Sequence, residues 1–261
     1  MEPIKLEYGR SVTAERAKEV VDRLYALAGN LWEGQVMNGR FQRELAAGTL
    51  PMPALRLFWK NFYGFVMEMN NLIASTMQRH LPFLKLHGDL MAALCDKVAD
   101  ELIHPRPPGH ILVMAEQGKN FGLTEEEMLH CQMLPECRAM VEWRRGLFYE
   151  GTMAEWYAAT VLEEVIGEWS AAMRKVLREK YSLPETQIKY FKVHEEADLQ
   201  PHDGTMAHGA FNRMVLQRLL QEGRCDLRPG FTLDYCVRIG VYFHAQFREA
   251  CYRHAGDENG W

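Results

Sequence analysis

Residues 152–180 read TMAEWYAATVLEEVIGEWSAAMRKVLREK, and this stretch decides the fold class. Its large apolar side chains recur at intervals of three and four, which is the spacing of one face of an α-helix. These side chains are Trp156, Val161, Leu162, Ile166 and Trp169. The spacing continues along most of the chain, and no alternating apolar run between turn residues indicates a strand. The sequence therefore predicts an all-α protein, a bundle of about seven long helices.

Prolines, glycines and capping residues set the expected limits of the other helices. Thr124 and Glu127, for example, have the spacing of a capping box, which starts a helix. The other long helices are expected near residues 13–32, 51–80, 86–103, 110–122, 184–220 (interrupted at 201–204) and 232–254. We expect a single domain over residues 1–261, with a loose tail at about 255–261.

The composition narrows the classes of function. Charged residues make up 25% of the 261, and the formal net charge is -5, so nothing favours nucleic acid or an anionic membrane as a partner. No apolar stretch is long enough to span a bilayer, and the N-terminus lacks the apolar core of a signal peptide. Six scattered cysteines without a C-x-x-C pair indicate free thiols in a reducing compartment. These features predict a cytoplasmic protein.

Ionisable side chains inside a helical bundle are costly unless they are paired or bind a metal, so carboxylates on apolar faces are the first candidates. Glu68 shares a helix face with apolar residues, although it could also be an exposed residue at the helix flank. Glu101 lies three residues before His104 and nine before His110, across a proline-rich break. Either histidine could join Glu101. His110 is favoured because it opens an apolar helix.

Two further stretches add candidates. Glu163 and Glu164 are adjacent on a helix, so their directions differ by about 100° and at most one points fully inward. His194 and Asp198 are four residues apart and therefore share a face. His202 would extend this stripe by another four residues, except that Pro201 precedes it.

Together these residues make up a mixed set of nitrogen and oxygen donors. Such a set suits non-haem iron or manganese in a helical bundle, with open positions for O2 and a substrate. The predicted metal ligands are Glu68, Glu101, His110, Glu163, His194, Asp198 and His202, of which Glu68 and Glu163 are also predicted to act in catalysis.

At these residues the chain resembles the haem-oxygenase-like superfamily over about residues 15–254. This superfamily includes the TenA and PqqC group and, more similar to this chain, the haem-oxygenase-like diiron oxidases. Its pattern is a Glu on an early helix, a second Glu followed by a His, a Glu on a central helix and a late H-x-x-x-D-x-x-H stripe. Glu68, Glu101, His110 and Glu163 match the first four places, and His194 and Asp198 begin the stripe.

The resemblance also selects between neighbouring candidates. The segment EEVIGEWS is similar to the corresponding stretch of the group's alkene-forming fatty-acid decarboxylase and selects Glu163 over Glu164. Counting back from Gly122-Leu123-Thr124 selects His110 over His104. The resemblance implies iron, two ions where both sites are complete, and O2. It also implies a small-molecule substrate such as a fatty acid or an amino acid, and a homodimer.

The chain departs from the family pattern at one position. The last His of the stripe should stand at residue 201, where this chain has Pro201, and His202 comes one place late. A proline interrupts helical hydrogen bonding, so a local break could re-aim His202 inward. Without such a break, the second iron site lacks a ligand.

Three alternative functions stay open from the sequence. A TenA-like thiamine-pyrimidine hydrolase needs a cysteine nucleophile and no metal, and no cysteine here stands in a matching context. A cofactorless PqqC-like oxidase binds an anionic quinone precursor, and residues 198–204 resemble that group's late helix. An interaction protein that has kept the fold without activity is the third.

Overall fold

The computed structural model of the protein describes residues 6–200 and 206–257. Within these ranges the chain is helical and contains no strand, which confirms the all-α prediction. The α-helices are α1 (Ala14–Trp32), α2 (Arg40–Ala47), α3 (Met52–Arg79), α4 (Leu81–Leu84), α5 (Gly88–Leu102), α6 (His110–Asn120), α7 (Glu125–Leu129), α8 (Pro135–Tyr149), α9 (Met153–Thr160), α10 (Leu162–Tyr181), α11 (Lys189–Leu199), α12 (His208–Gln221) and α13 (Leu233–Arg253). A π-helical turn, Glu33–Met37, extends α1.

Capping residues place several helix starts where the sequence predicts them. The Thr13 hydroxyl accepts a hydrogen bond from the Arg16 amide at 3.2 Å and starts α1. Thr124 and Glu127 form the expected capping box at α7, in which side chain and backbone satisfy each other's free groups.

The predicted helix over residues 152–180 is in fact two helices, α9 and α10, separated at Val161. The Thr160 carbonyl, which would accept from the α10 backbone in a continuous helix, accepts instead from Asn212 Nδ2 at 3.1 Å. The Thr160 hydroxyl turns back to the Tyr157 carbonyl at 3.0 Å. These side-chain bonds replace a helical bond, and they place Glu163 in the first turn of a new helix.

Three other segments differ from the expected pattern. The short helix α2 and the longer α8 are additional to the predicted helices, and Pro135 at the start of α8 is the signal that such a helix begins there. The 184–220 prediction corresponds to a 3-10 turn followed by α11 and α12. Within the expected loose tail, Ala255–Asp257 instead form a 3-10 turn that packs against α3.

One continuous cluster of buried apolar side chains joins α1 to α13. Aromatic rings fill its centre, where Phe58, Trp59 and Trp169 are fully buried. Around this centre α11 packs against α6, α10 and α12, and α5 packs against α6 and α12. The carboxylates and histidines of α5, α6, α10, α11 and α12 are thereby brought to one region.

All six cysteines are free thiols, as predicted, and four of them are buried. None of the described helices combines the length and the apolar character that a bilayer-spanning helix needs.

Candidate metal centre

The described residues contain two groups of side chains whose donor atoms lie close enough to hold a metal ion. The first group is Glu101, His110 and His194, and the second group is Glu163, Asp198 and His208. In each group one donor atom per residue lies within 4.8 Å of the others.

The first group joins α5, α6 and α11. His110 Nδ1 lies 3.3 Å from Glu101 Oε2, and both side chains are less than one-tenth exposed. The His194 ring faces the His110 ring with a centroid separation of 4.9 Å. His194 also packs against the Tyr190 ring, with a centroid separation of 4.2 Å and an interplanar angle of 30°, which restrains the orientation of the imidazole.

Gly109 explains how His110 reaches Glu101. It has φ +78° and ψ -143°, a conformation that L side chains rarely adopt. A Cβ atom at this position would lie 2.1 Å from the Glu101 carbonyl oxygen. Only glycine therefore lets the loop pass directly over the end of α5 and begin α6 with His110 beside Glu101.

The second group joins α10, α11 and α12. His208 Nδ1 lies 3.2 Å from Asp198 Oδ1, and His208 Nε2 lies 3.4 Å from Asp100 Oδ2. The same Nδ1 is 3.8 Å from Glu101 Oε1, so the two groups are contiguous across the contact between His208 and Glu101.

Close packing of α10 on α11 positions Glu163. A Cβ atom on Gly167 would lie 2.8 Å from Asp198 Cβ, so the glycine permits this approach of the two helices. Glu163 lies one helical turn before Gly167 and shares its inward face. Glu164 points away and pairs with Arg213 through two hydrogen bonds of 2.8 and 2.9 Å.

Two side chains that the sequence analysis missed hold Glu163. Lys97 Nζ and Asn212 Nδ2 both donate to Glu163 Oε2, the latter at 2.7 Å. Lys97 is 5% exposed, so the second group already contains a buried cation. Both contacts are made to Oε2, which leaves Oε1 as the oxygen available to a metal.

The electrostatics of the first group suit metal ligation. Burial acts to raise the pKa of Glu101, but the imidazoles of His110, His194 and His208 outweigh it and hold this pKa well below its usual range. Burial and the neighbouring His110 lower the pKa of His194 to about 3. Glu101 is therefore charged and His194 neutral near pH 7, which are the forms that bind metals.

The second group is held in a different protonation state. Burial acts to lower the pKa of His208, but hydrogen bonds to Asp100 and Asp198 outweigh it and raise this pKa to about 9. Burial also raises the pKa of Asp198, to about 6. The ring of His208 is therefore protonated near pH 7, and together with Lys97 it balances part of the carboxylate charge.

The donor set fits iron. The two groups bring together three carboxylates and three imidazoles, and Lys97 and the protonated His208 balance only part of the carboxylate charge. Mixed imidazole and carboxylate donors suit iron or manganese, whereas a structural zinc site would favour sulfur.

The structure does not bring Glu68 to either group, and this expectation needs correction. Its carboxylate lies 3.0 Å from Arg145 Nη1 and 3.8 Å from Arg138 Nη1, both on α8. Two guanidinium groups on the neighbouring helix hold the side chain at the partly exposed surface of α3. Asn70 is the buried polar residue of α3 that faces this region, and its Nδ2 lies 3.5 Å from the Glu101 carbonyl.

His202 and Pro201 lie outside the described residues, so the expected re-aiming of His202 is untested. The histidine found in the second group is His208, which the sequence analysis passed over. The sequence does contain a feature that indicates His208. Like His110, it is the first residue of an apolar helix that follows a break in the helical pattern. His104, the alternative to His110, is exposed.

A cavity adjoins both groups. Glu101, Glu163, His194 and Asp198 form its polar side. The rest of its wall is mainly apolar and includes Phe62, Phe65, Met69, Trp156, Leu162 and Ile166. Arg144 and His244 also line it, although neither belongs to a metal group. A small molecule of largely apolar character could therefore lie against the candidate ligands.

Solved structures show the same fold. A TenA homologue from Pseudomonas syringae pv. tomato str. DC3000 has TM-score 0.70 and 16% identity, covering 95% of this chain and 99% of its own. A protein of unknown function with a haem-oxygenase-like fold from Shewanella denitrificans OS217 has TM-score 0.62 and 13% identity, covering 93% of each chain. A TenA homologue from P. horikoshii OT3 has TM-score 0.58 and 17% identity, covering 90% of this chain and 98% of its own. These likenesses confirm the haem-oxygenase-like fold.

Sequence comparison identifies the family as well as the fold. No curated protein matches the chain. A family model described as "iron-containing redox enzyme" matches residues 56–228, a range that contains both groups of candidate ligands. On this match, the chain belongs to the haem-oxygenase-like family of iron-containing redox enzymes.

Proposed function

We propose that the protein is a non-haem iron oxidase or oxygenase that uses O2 to oxidise a small, largely apolar metabolite. The observation that carries this proposal is the pair of buried ligand groups, contiguous at His208 and Glu101, on the wall of an apolar cavity. Two adjoining groups of this kind could hold two ions. Fatty acids and amino acids remain candidate substrates.

Each of the two residue groups would bind its own metal ion. Glu101, His110 and His194 would hold one ion, and Glu163, Asp198 and His208 would hold the other, with loss of the proton that His208 carries in the metal-free protein. Iron bound there would supply the one-electron chemistry that O2 needs in order to react with an organic molecule.

The surroundings of the ligands support this arrangement. The apolar wall keeps water away from the ligands and strengthens their electrostatic interactions. Burial, with Glu101 and Asp198 close by, raises the pKa of Tyr190 well above its usual value. Its phenol therefore stays protonated beside His194 and can donate a hydrogen bond into the cavity.

A second candidate function is a TenA-like hydrolase, which the structural neighbours favour through their fold. That chemistry needs a reactive thiolate near the substrate. The described residues that line the cavity include no cysteine. Burial raises the pKa of Cys225 and Cys236 to about 12 and also raises that of Cys137, so these thiols stay protonated. The iron enzyme is therefore preferred.

Metal analysis of protein from iron-supplemented cells, followed by anaerobic Fe(II) loading and exposure to O2, tests the proposal. We expect bound iron and O2 uptake that depends on it. His194→Ala should lose most of the iron of the first group, because losing a ligand costs more than the roughly 10–100-fold typical of an outer residue. His104→Ala and Glu68→Gln, which lie outside both groups, should keep their iron.

Protein that stays iron-free after loading would contradict the proposal. Iron retained in full by His194→Ala would contradict the ligand assignment. Hydrolysis of an aminopyrimidine thiamine derivative by iron-free protein would support the TenA-like alternative instead. An iron-independent oxidation would support the PqqC-like one.

A further inference from the structure

Arg144, on α8, is a buried guanidinium without a paired carboxylate among residues 6–200 and 206–257. It is 5% exposed and lines the cavity next to the candidate metal groups. Its Nε is buried and makes no hydrogen bond within the described part of the chain. No carboxylate of that part lies within ion-pair distance of it. Glu163 is the carboxylate that acts on it electrostatically, and Glu163 is held by Lys97.

Two other arginines differ from Arg144 because neither lines the cavity and each donates to a protein acceptor, although Arg248 also has an unpaired Nε and no carboxylate partner among the described residues. Arg228 pairs with the buried Glu155 at 2.7 Å. Arg248 donates to the His244 carbonyl at 2.9 Å and lies 4.6 Å above the Trp169 ring. Arg144 has only a loose contact with the neighbouring Trp143 ring, at 5.3 Å.

A buried charge without a hydrogen-bonded partner is strongly unfavourable, and the more distant attraction of Glu163 does not offset the desolvation of Arg144. Burial lowers the pKa of Arg144 to about 10, which still leaves the group charged near pH 7. Such a group persists in a fold when its partner is supplied from outside, and a cavity is the route by which a ligand could bring one.

The chemistry around Arg144 narrows the class of that ligand. One guanidinium balances one negative charge, and its planar fork matches a carboxylate with two parallel hydrogen bonds. A phosphate dianion would need further cations, and the other described residues that line the cavity include no lysine and no second arginine. Burial lowers the pKa of His244 well below its usual value, so it is neutral. Its Nε2 has no hydrogen-bond partner among the described residues and is available to a ligand.

We infer that the cavity binds a small apolar monocarboxylate whose carboxylate group pairs with Arg144. Its apolar body lies against Phe62, Phe65 and Trp156. This inference rests on the proposed function. The acid group anchors the substrate to the protein, and the hydrocarbon part points towards Glu101 and Glu163. Arg144 is thus a residue that determines specificity and orientation.

Calorimetric titration with octanoate and phenylacetate, each compared with its uncharged amide, tests this inference. It is run on the full chain twice, once after anaerobic Fe(II) loading and once metal-free. We expect each carboxylate to bind at least about tenfold more tightly than its amide in both forms, because a charge-assisted pair in a buried site exceeds about 1.4 kcal/mol. Amides that bind as tightly as the acids would overturn the inference.

Substitutions identify the anchoring residue. Arg144→Met should abolish the preference for the acid and leave amide binding and iron content unchanged. Arg145→Gln is the matched control, because Arg145 is the next residue on α8 but is 43% exposed and pairs with Glu68. It should bind octanoate as the wild type does. If Arg144→Met bound octanoate with unchanged affinity, the assignment of Arg144 as the carboxylate anchor would be overturned.

Thermal unfolding separates a binding role from a structural one. Removing an uncompensated buried charge should leave Tm of the ligand-free protein unchanged or raise it, whereas octanoate should no longer raise Tm. A large fall in Tm for ligand-free Arg144→Met would indicate a structural role. In that case Arg144→Lys, which keeps the positive charge, distinguishes the two roles. This variant should still bind each carboxylate more tightly than its amide, although by a smaller factor than the wild type. Equal binding of acid and amide by Arg144→Lys would overturn the inference. The binding measurements on metal-free protein test the role of Arg144 separately from the proposal that iron is the cofactor.

Discussion

Lys97 and Glu163 form a partly buried ion pair inside the second group of candidate ligands. Lys97 Nζ donates to Glu163 Oε2, and the lysine side chain is 5% exposed against 22% for the glutamate. The first group contains no such lysine. The two groups therefore differ in their charge before any metal binds, and on electrostatic grounds we expect two metal sites of unequal affinity.

Replacing Lys97 with methionine should strengthen iron binding at the second group. Two unit charges about 5 Å apart repel by roughly 3 kcal/mol at an effective dielectric constant of about 20. Removing the ammonium should lower the Kd of the weaker Fe(II) site at least about tenfold in an anaerobic titration and leave the stronger site unchanged. Lys119→Met, at an exposed position on α6, is the control. Loss of the weaker site in Lys97→Met would show that Lys97 supports the site.

His208, and not His202, should be required for the second iron. His208 Nδ1 lies 3.2 Å from Asp198 Oδ1 in the second group, so His208→Ala removes a ligand and should empty this site while leaving the first largely filled. His202→Ala should retain both sites. The measurement is the iron content of each variant after Fe(II) loading. The reverse result, with His202→Ala losing the second iron, would restore the interpretation from the sequence.

Gly109→Ala should damage the first group without removing any ligand. The added Cβ would meet the Glu101 carbonyl oxygen at 2.1 Å, and φ +78° is itself strained for alanine. Backbone strain of this kind costs about 1–3 kcal/mol before the clash is counted. We expect a lower free energy of unfolding and loss of the iron held by His110 and Glu101.

Gly88→Ala is the matched control for that variant. Gly88 is the first residue of α5, as Gly109 is the residue just before α6, but a Cβ atom added to Gly88 would have nothing within 4 Å, and its φ is ordinary. This substitution should be neutral or stabilise the protein by up to about 1 kcal/mol. Equal stability and iron content in the two variants would contradict the role assigned to Gly109.

The stability of the metal-free protein should fall on acidification through His80. Burial lowers the pKa of His80 from 6.5 to about 4 in the folded chain. The unfolded chain therefore takes up the proton first, so stability is full above about pH 6.5 and is lost as the pH falls towards 4. Uptake of one proton over this pH range lowers the free energy of unfolding by up to about 3 kcal/mol.

Denaturant unfolding of wild type and His80→Leu between about pH 7 and 4.5 measures this contribution. The variant has no proton to take up at this position, so its free energy of unfolding should fall less steeply than that of the wild type. His80 packs on Phe148 and Tyr157 and belongs to neither group of candidate ligands, which keeps the comparison free of metal effects. Parallel pH profiles for the two proteins would rule out His80 as the source.

The sequence alone determined the helical fold and most helix limits, because apolar spacing and capping residues are local properties. Thr124 and Glu127 act within one helical turn of themselves, and the structure has their capping box where the spacing predicts it. His194 and Asp198 both line the cavity for the same local reason, since residues four apart on one helix share a face, although they belong to different groups. The haem-oxygenase-like resemblance likewise rests on the spacing of such residues.

Only the tertiary structure decided which side chains meet. Glu68 satisfies the same local pattern as Glu101, but Arg145 on a neighbouring helix pairs with it and holds it outside both groups. His208 and Lys97 enter the second group through helix packing that no local spacing encodes. A buried charge is stabilised or left unpaired by residues distant in the chain, so its role follows from long-range packing rather than from its immediate neighbours in the sequence.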